Sequence, residues 1–254
     1  MDPLRLFNFY KSQTNWQPIQ NLLANSPFAY EALLRVAPKG QSEFGSNDAP
    51  LPEEGWFAHH DLEILRQHLV DALRAGLTEK RIFVNVEPLT LVLHYHSLSV
   101  LLEQFAEIFP LSQVTLEITE RNRDVLLTSD KWRECLARCR SKGLHIALDD
   151  WAGRRPDVVI AQELQPEYIK IQFPAMHSRK AQQGPRQRRL EHLIDTVLER
   201  VHRCDAIAIV ERVETARQLE MLSLRGLHYA QGYLFGKPEP MKDTREKVDH
   251  ALPI

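Results

Sequence analysis

Cysteine is scarce in this chain of 254 residues, which contains three of them. Cys135, Cys139 and Cys204 form no Cys-x-x-Cys pair, and an odd number of cysteines argues against a disulfide framework. Because Cys135 and Cys139 are four residues apart in a helical pattern, we interpret them as core thiols rather than as metal ligands. The cysteines therefore point to neither a disulfide-stabilised fold nor a thiolate metal centre.

An excess of one charge and a long apolar run are also missing. The 32 basic residues are balanced by 34 acidic ones, so no overall field favours a nucleic acid polymer or an anionic membrane as partner. No apolar run approaches the length of about 18 residues that a membrane span needs. The N-terminus, Met-Asp-Pro-Leu-Arg-Leu-Phe-Asn, lacks a basic segment followed by a long apolar one. We therefore expect no signal peptide and a cytoplasmic location.

Short apolar runs alternate with helical patterns through most of the chain, and hydrophobic residues reach 43%, enough for a sizeable core. Strands are predicted at 81–85, 114–120, 145–148, 168–171, 205–211 and 229–234. Helices are predicted at 57–75, 89–107, 129–142, 157–164, 187–203, 214–225 and 240–250. This alternation predicts an α/β protein, a (β/α)8 TIM-like barrel that forms a single domain over residues 1–254. An open doubly wound sheet is second choice, because its phosphate loop, Gly-x-Gly-x-x-Gly, is absent.

The N-terminal quarter is harder to interpret. Residues 14–23 favour a strand that leads into a turn. Residues 28–36 have helical propensity, but their short length and the bounding Pro27 and Pro38 allow a strand instead. Residues 38–55 are typical of a surface loop. A basic stretch over 179–190 indicates a solvated loop and helix start, with a partner-binding patch as the alternative.

Polar side chains close many of the predicted strands. They are Glu31, Asn85, Glu117, Asp149 with Asp150, Lys170, Glu211 and Gln231. In a barrel the carboxyl ends of the strands meet at one face, where active sites are built. Carboxylate and amide oxygens around one mouth suit hard cations, and two-metal sites typically hydrolyse phosphate esters. Taken singly, Asp150 could cap a helix and Lys170 could be solvated, so only the convergence is informative.

These residues and their order resemble the EAL domain family, which comprises cyclic di-GMP phosphodiesterases and degenerate relatives that only bind. The resemblance runs from about Trp16 to Pro240. The matching motifs are Gln17-Pro-Ile, Glu31-Ala-Leu-Leu-Arg35, Asn85 with Pro88, Glu117-Ile-Thr-Glu120, Asp149-Asp150, Lys170, Glu211 with Glu214, and Gln231-Gly-Tyr233. The resemblance implies a barrel with one antiparallel strand.

The resemblance also implies roles for single residues. The first of two divalent cations, Mg²⁺ or Mn²⁺, would be held by Glu31, Asn85, Glu117 and Asp149. The second would be held by Asp149, Asp150 and Glu211. Lys170 would position or help activate the attacking water, so that Lys170, Glu211 and Glu31 carry the reaction. The implied substrate-binding residues are Gln17, Arg35 and Gln231. The implied supporting residues are Glu120, Gln172 and Glu214, and of these Glu120 would brace the loop after Asp150.

Three departures from the family pattern stand out. Where the family has Asp-Asp-Phe-Gly-Thr-Gly-Tyr-Ser-Ser, this chain has Asp149-Asp150-Trp-Ala-Gly-Arg-Arg-Pro-Asp157. Ala152 and Arg154 replace glycines, so a positive φ there would cost roughly 1–3 kcal/mol. The family's Lys-x-Asp becomes Lys170-Ile-Gln172, and its Glu-Gly-Val-Glu becomes Glu211-Arg212-Val-Glu214.

Retention of every implied ligand and of Lys170 favours a cyclic di-GMP phosphodiesterase that releases linear pGpG. The alternative is a degenerate module that binds cyclic di-GMP or a protein partner and acts as a regulator; the altered loop and Gln172 favour it. A barrel with neither metal nor nucleotide would make the converging carboxylates a coincidence. A homodimer and a regulatory protein remain open as further partners.

Overall fold

A computed structural model describes residues 10–38, 56–128, 130–173, 176 and 184–242 of the chain. Of the loop predicted over 38–55, only residue 38 belongs to this described part. Most of the terminal helix predicted over 240–250 also lies outside it. Of that helix, residues 240–242 are described and are not helical. Arg179 and Lys180 of the basic stretch also lie outside the described residues.

Eight strands close into a barrel in chain order. They are β1 Tyr10–Asn21, β2 Ser26–Pro38, β3 Arg81–Val86, β4 Val114–Ile118, β5 His145–Leu148, β6 Tyr168–Ile171, β7 Ile207–Val210 and β8 Tyr229–Gln231. Strand β1 runs antiparallel to both of its neighbours, β2 and β8, and the remaining neighbours pair in parallel. The predicted barrel with one antiparallel strand is therefore confirmed.

Helices follow most of the strands. They are α1 Trp56–Arg74, α2 Pro88–Leu93, α3 Tyr95–Phe105, α4 Lys131–Ser141, α5 Arg155–Leu164, α6 Gly184–His202 and α7 Ala216–Ser223. The helix predicted over 89–107 is divided at His94, whose φ of −119° and ψ of 19° leave the helical region. In the described part of the chain, no helix combines the length and the apolar character needed to cross a bilayer.

The ambiguous stretch 28–36 is a strand. Strand β2 pairs with β1 along its whole length, and the turn between them uses Asn25 at a φ of 48°. Asparagine tolerates this left-handed conformation better than most residues do. The hydrogen bonds and side-chain contacts of the pairing thus outweigh the helical propensity of Glu31, Ala32 and Leu33.

Alternation along the strands separates two cores. Side chains that point outward pack against the helices and form the larger core, which includes Ile82, Val84, Leu116 and Ile146. Side chains that point inward fill the lower part of the barrel; they are Ile19, Ala29, Phe83, Ala147, Tyr168 and Ile209. This inner layer closes the barrel from below, so that polar residues further along the strands are left at the upper mouth.

Candidate metal and substrate site

The site residues lie two positions beyond the apolar inner layer on their strands. Ala29 is followed by Glu31, Phe83 by Asn85, Ala147 by Asp149, Tyr168 by Lys170 and Ile209 by Glu211. Residues i and i+2 of a strand share one face, so these polar side chains point to the barrel axis directly above the inner layer. Because β1 is antiparallel, its contribution, Gln17, comes two positions before Ile19 instead.

Lys170 stands at the centre of this mouth and is 1% exposed. Its Nζ lies 2.6 Å from Oε1 of Glu117 and 2.8 Å from Oε1 of Glu211. Oε2 of Glu31 is 3.2 Å away, and Oδ1 of Asp149 is 3.7 Å away. One ammonium thus contacts four carboxylates that come from four different strands or strand ends.

The protonation of Lys170 follows from this arrangement. Burial alone would lower the pKa of Lys170, but Glu117, Glu211, Glu31 and Asp149 together outweigh it and raise the pKa well above its ordinary value. Lys170 is therefore an ammonium at neutral pH, which makes it a hydrogen-bond donor and a fixed charge.

More carboxyl groups meet at this mouth than one ammonium can balance in their ionised forms. Burial raises the pKa of Glu117 well above its ordinary value, and it raises the pKa of Glu211 to about 7, although Lys170 lowers both. Oε2 of Glu117 and Oε2 of Glu211 are buried and have no hydrogen-bond partner among the described residues. Buried carboxylate oxygens without a partner are costly, and they are the donors that hard divalent cations prefer. The residues at this mouth therefore fit a divalent cation.

Two amides orient Glu31. Nδ2 of Asn85 donates to Oε1 at 3.3 Å, and Nε2 of Gln231 donates to Oε2 at 2.6 Å. Because the amide nitrogen of Asn85 is turned towards Glu31, its carbonyl oxygen is left as the group that can ligate a cation. Glu31 is thus hydrogen-bonded to Asn85 and also contacts Lys170.

Asp149 and Asp150 form a second acidic group with Glu120. Their carboxylate oxygens lie within 4.8 Å of one another. Burial raises the pKa of Asp150, and Asp149 and Glu120 raise it further. Asp150 has a φ of 42°, which turns the chain sharply after β5. The expectation that Glu120 braces the following loop stays a prediction; the structure places this residue beside the two aspartates.

Gln172 contacts Asp150 directly. Its Nε2 donates a hydrogen bond to Oδ1 of Asp150. The residue that replaces an aspartate of the family pattern therefore engages an oxygen of one of the implied metal ligands. A carboxylate at this position would repel Asp150, whereas the amide holds it.

Neither residue that replaces a family glycine in the altered loop has a positive φ. Arg154 is extended, with a φ of −72°, and Ala152 is not among the residues of positive φ. Gly153 takes the left-handed conformation instead, with a φ of 67°. Ala152 and Arg154 therefore do not incur the cost of a positive φ, because the residue between them, Gly153, adopts it.

Arg212 has a strained backbone conformation that we did not predict from the sequence. It replaces a glycine of the family pattern, and its φ is 56°. An L-residue pays roughly 1–2 kcal/mol for this conformation, which glycine adopts freely. The guanidinium of Arg212 lowers the pKa of Asp150 against the effect of burial, so its charge acts on the same carboxylate that Gln172 contacts.

Arginines from two other elements hold the altered loop. The guanidinium of Arg123 donates to the carbonyl oxygens of Ile118, Thr119 and Asp149, and Nη1 of Arg200 donates to the carbonyl oxygen of Gly153 at 2.8 Å. Neither arginine was predicted from the sequence. Asp149 is 26 residues from Arg123 and Gly153 is 47 residues from Arg200, so no local sequence pattern predicts these contacts.

A pocket of about 480 Å³ opens above Lys170. Of the predicted site residues it is lined by Gln17, Glu31, Asp149, Asp150, Lys170, Gln172, Glu211, Glu214 and Gln231. Arg212 and Tyr233 complete its rim. Nε2 of Gln17 donates to the carbonyl oxygen of Gly236 at 3.3 Å, which fixes this amide at the edge of the pocket.

The other predicted residues lie beside or beneath this pocket. Arg35, Asn85 and Glu120 line an adjacent cleft of about 260 Å³, and Leu33 borders both spaces. Glu117 is fully buried under the mouth. The structure thus brings the implied metal ligands together around Lys170 and sets Arg35 to one side of them.

Comparison with known proteins agrees with this geometry. The family model described as "EAL domain" matches residues 10–238. A probable cyclic di-GMP phosphodiesterase of Escherichia coli (strain K12), PdeN, is 29% identical over 133 residues, which cover 52% of this chain and 24% of that protein. The chain spans between 24% and 45% of the length of three such curated relatives.

Solved structures with the same fold contain divalent cations. The Bacillus subtilis YkuI protein, with an EAL domain and in complex with c-di-GMP and calcium, matches with a TM-score of 0.69 and 25% identity over 95% of this chain and 60% of that one. A manganese and cyclic di-GMP complex of Klebsiella pneumoniae BlrP1 matches in fold with a TM-score of 0.70 and 24% identity, over 90% of this chain and 56% of that one.

Proposed function

The chain belongs to the EAL domain family, and on that premise we propose that it is a metal-dependent phosphodiesterase that hydrolyses cyclic di-GMP to linear pGpG. The observation that carries the proposal is the buried Lys170 ammonium in contact with four carboxylates at the mouth of the barrel. The names of the curated relatives and the nucleotide in the related structures support the choice of substrate.

Two divalent cations, Mg²⁺ or Mn²⁺, complete the proposed site. Glu31, Asn85, Glu117 and Asp149 would hold the first, and Asp149, Asp150 and Glu211 would hold the second. When bound, such cations lower the pKa of a water molecule and stabilise charge on phosphoryl oxygens. The buried oxygens of Glu117 and Glu211 that have no partner among the described residues support this set.

Lys170 acts in this proposal as a hydrogen-bond donor and a positive charge, because its buried ammonium contacts four carboxylates at the mouth of the barrel. Its ammonium holds Glu117 and Glu211 in place and can donate a hydrogen bond to the attacking water or to a phosphoryl oxygen. Gln231 keeps Glu31 in its rotamer through the bond of 2.6 Å.

The substrate would lie across the two adjacent cavities. Gln17 and Gln231 line the pocket above Lys170, and Arg35 lines the neighbouring cleft. A guanidinium in that position suits a phosphate oxygen of the nucleotide.

A regulatory module that binds cyclic di-GMP or a protein without hydrolysis is the second candidate. The hydrogen bond from Gln172 to Asp150 favours it, since this bond engages one of the residues implied for the second cation.

Calorimetry and product analysis separate the two candidates. Cyclic di-GMP is titrated into the protein with Ca²⁺, and the same protein is incubated with the nucleotide and Mn²⁺. Binding together with pGpG formation supports the phosphodiesterase. Binding without pGpG leaves the regulatory module, and absence of both rejects the nucleotide altogether.

The remaining expectations from the sequence belong to the same proposal. They are one barrel domain over residues 1–254, a cytoplasmic location, and a homodimer or a regulatory protein as further partner. Each stays a prediction.

A further inference from the structure

One buried guanidinium joins two strand ends that carry implied metal ligands. Arg123 is 5% exposed, and its side chain donates to three backbone carbonyl oxygens. Its Nε donates to Thr119 at 3.0 Å, and its Nη2 donates to Ile118 at 3.2 Å and to Asp149 at 2.5 Å. Ile118 ends β4 and Asp149 directly follows β5, so one side chain holds two neighbouring strands together at the mouth of the barrel.

The same guanidinium reaches the far end of the altered loop. Its Nη1 lies 3.9 Å from Oδ1 of Asp157, which stands in the first turn of α5. The other carboxylate oxygen of Asp157 accepts a hydrogen bond from the backbone amide of Arg154 at 3.1 Å. Arg123 therefore interacts with the residues at which the loop over 149–157 begins and ends.

The local backbone directs Arg123 towards these strands. Asn122 has a φ of 47° and a ψ of 29°, the left-handed conformation that asparagine tolerates better than most residues do. A short 3₁₀ helix, Arg123–Leu127, begins directly after it. The turn reverses the chain, so that Arg123 bonds to carbonyl groups four and five residues before it in the sequence.

These contacts act on the implied metal ligands through the backbone. Glu117 directly precedes Ile118 on β4, and Asp149 follows β5, so the separation of their side chains depends on how the two strand ends are held. The backbone amide of Asp149 donates to the carbonyl oxygen of Ile118 at 3.0 Å. The bonds from Arg123 thus extend the pairing of β4 with β5 past the ends of the strands.

We infer that Arg123 is a positioning residue for the proposed metal centre, which fixes the backbone segments that carry Glu117 and Asp149 relative to each other. A guanidinium suits this role because it presents five donors in a rigid plane, whereas an ammonium is a point charge on a flexible stem. The inference rests on the proposed function in that it takes the metal ligands from it.

Metal binding without nucleotide tests this inference. Mn²⁺ is titrated by calorimetry into the wild-type protein, Arg123→Met and Arg123→Lys, and each protein is unfolded in urea without metal. We expect Arg123→Met to bind Mn²⁺ about 10-fold to 100-fold more weakly, as is typical of groups that orient metal ligands. Arg123→Lys should also bind Mn²⁺ more weakly, because it keeps the charge but not the planar set of donors. Wild-type affinity in Arg123→Lys would overturn the inference.

Arg140 is the matched control, because it makes the same kind of contacts at the lower end of the barrel. Its Nη2 donates to the carbonyl oxygens of Leu164 and Gln165 at 2.7 Å each, and its Nε lies 3.3 Å from Oε1 of Glu167. Arg140→Met should lose stability in urea, as Arg123→Met does, but should bind Mn²⁺ as the wild type does. Loss of stability in Arg123→Met with unchanged Mn²⁺ affinity would show a purely structural role and overturn the inference.

Arg123→Lys, compared with Arg140→Lys, decides the matter if Arg123→Met does not fold. The outcomes are also distinct from a failure of the proposed function. Mn²⁺ binding that depends on Arg123, without formation of pGpG, would retain the inference and reject the phosphodiesterase. Formation of pGpG, with the same Mn²⁺ isotherms for the wild type and the Arg123 variants, would do the reverse. Absence of Mn²⁺ binding by the wild type would overturn both.

Discussion

The Nζ atom of Lys170 lies 2.6 Å from Oε1 of Glu117, and the two side chains are 1% and 0% exposed. An isolated buried ion is costly, so Lys170 favours the ionised form of Glu117, and Glu117 favours the ammonium form of Lys170. The pair links β4 to β6 across the barrel and fixes the floor of the site.

Replacement of Lys170 tests this dependence. Lys170→Met should lower the free energy of unfolding by about 3–5 kcal/mol in the absence of metal at pH 8, because the surrounding carboxylates lose their counter-charge. Mn²⁺ should recover part of the loss, since it supplies positive charge to the same oxygens. Urea denaturation with and without Mn²⁺ measures both effects.

Lys142→Met is the matched control, because Lys142 is exposed at the end of α4. We expect its free energy of unfolding to stay within about 0.5 kcal/mol of the wild type. Equal stabilities of the two variants would mean that Lys170 is not the counter-charge of the site.

Metal binding and nucleotide binding should be lost separately. Glu31→Ala removes an implied ligand and the partner of both Asn85 and Gln231, so it should weaken Mn²⁺ binding and nearly abolish turnover. Arg35→Ala should weaken cyclic di-GMP binding by roughly 1.5–3 kcal/mol and leave Mn²⁺ binding intact. Calorimetry with each ligand provides the measurement; full nucleotide affinity in Arg35→Ala would refute the proposed position of the substrate.

Gln172→Asp should shift the metal requirement. The substitution removes the amide that engages Asp150 and adds a carboxylate near the second metal position. We expect the rate at limiting Mg²⁺ to rise, with a change of about 10-fold to 100-fold in the half-saturating concentration. If the metal titration curves of the variant and the wild type coincide, Gln172 does not set the metal requirement. The altered loop over 151–157 then becomes the next feature to test.

Stability should respond to pH through Asp61, which lies on α1 and accepts hydrogen bonds of 2.6 Å from the amide of Glu87 and from Oγ1 of Thr90. Burial raises the pKa of Asp61 from 3.8 to about 7, although these hydrogen bonds lower it. The folded state therefore holds a proton that the unfolded state releases. The contribution of this proton to stability is complete below pH 3.8 and is lost as the pH rises to about 7.

Asp61→Asn should remove this dependence. Relative to the wild type, the variant should gain stability between pH 4 and pH 8, with roughly 4 kcal/mol as the upper limit. Glu63→Gln, on the exposed side of the same helix, serves as control and should follow the wild type. Parallel curves for Asp61→Asn and the wild type would show that Asp61 is ionised in the folded protein.

Much of the site could be predicted from the sequence, because successive side chains of a strand alternate between its two faces. Once apolar runs are taken as strands, the polar residue at the end of each run must point into the barrel mouth, as Glu117 and Lys170 do. The limits of the strands His145–Leu148 and Tyr168–Ile171 were also predicted correctly from the sequence.

What the sequence did not reveal depends on contacts between distant residues. The strand state of Glu31 to Leu33 is decided by pairing with β1, which overrides propensity, and the break at His94 was not predicted from the sequence. The action of Arg212 and Gln172 on Asp150 depends on the arrangement of three strand ends around one mouth. The left-handed conformation of Gly153, which lies between the two positions where the family has glycine, could be recognised only from the backbone.

Product analysis is the most direct test of the proposed hydrolysis of cyclic di-GMP. The wild-type protein, at enzyme-like concentration, is incubated for hours with cyclic di-GMP and either Mg²⁺ or Mn²⁺, and the nucleotides are separated by chromatography, with Glu31→Ala run alongside. We expect pGpG to accumulate with the wild type, more of it to form at higher metal concentration, and the variant to form almost none. Unchanged cyclic di-GMP at every metal concentration would contradict this expectation.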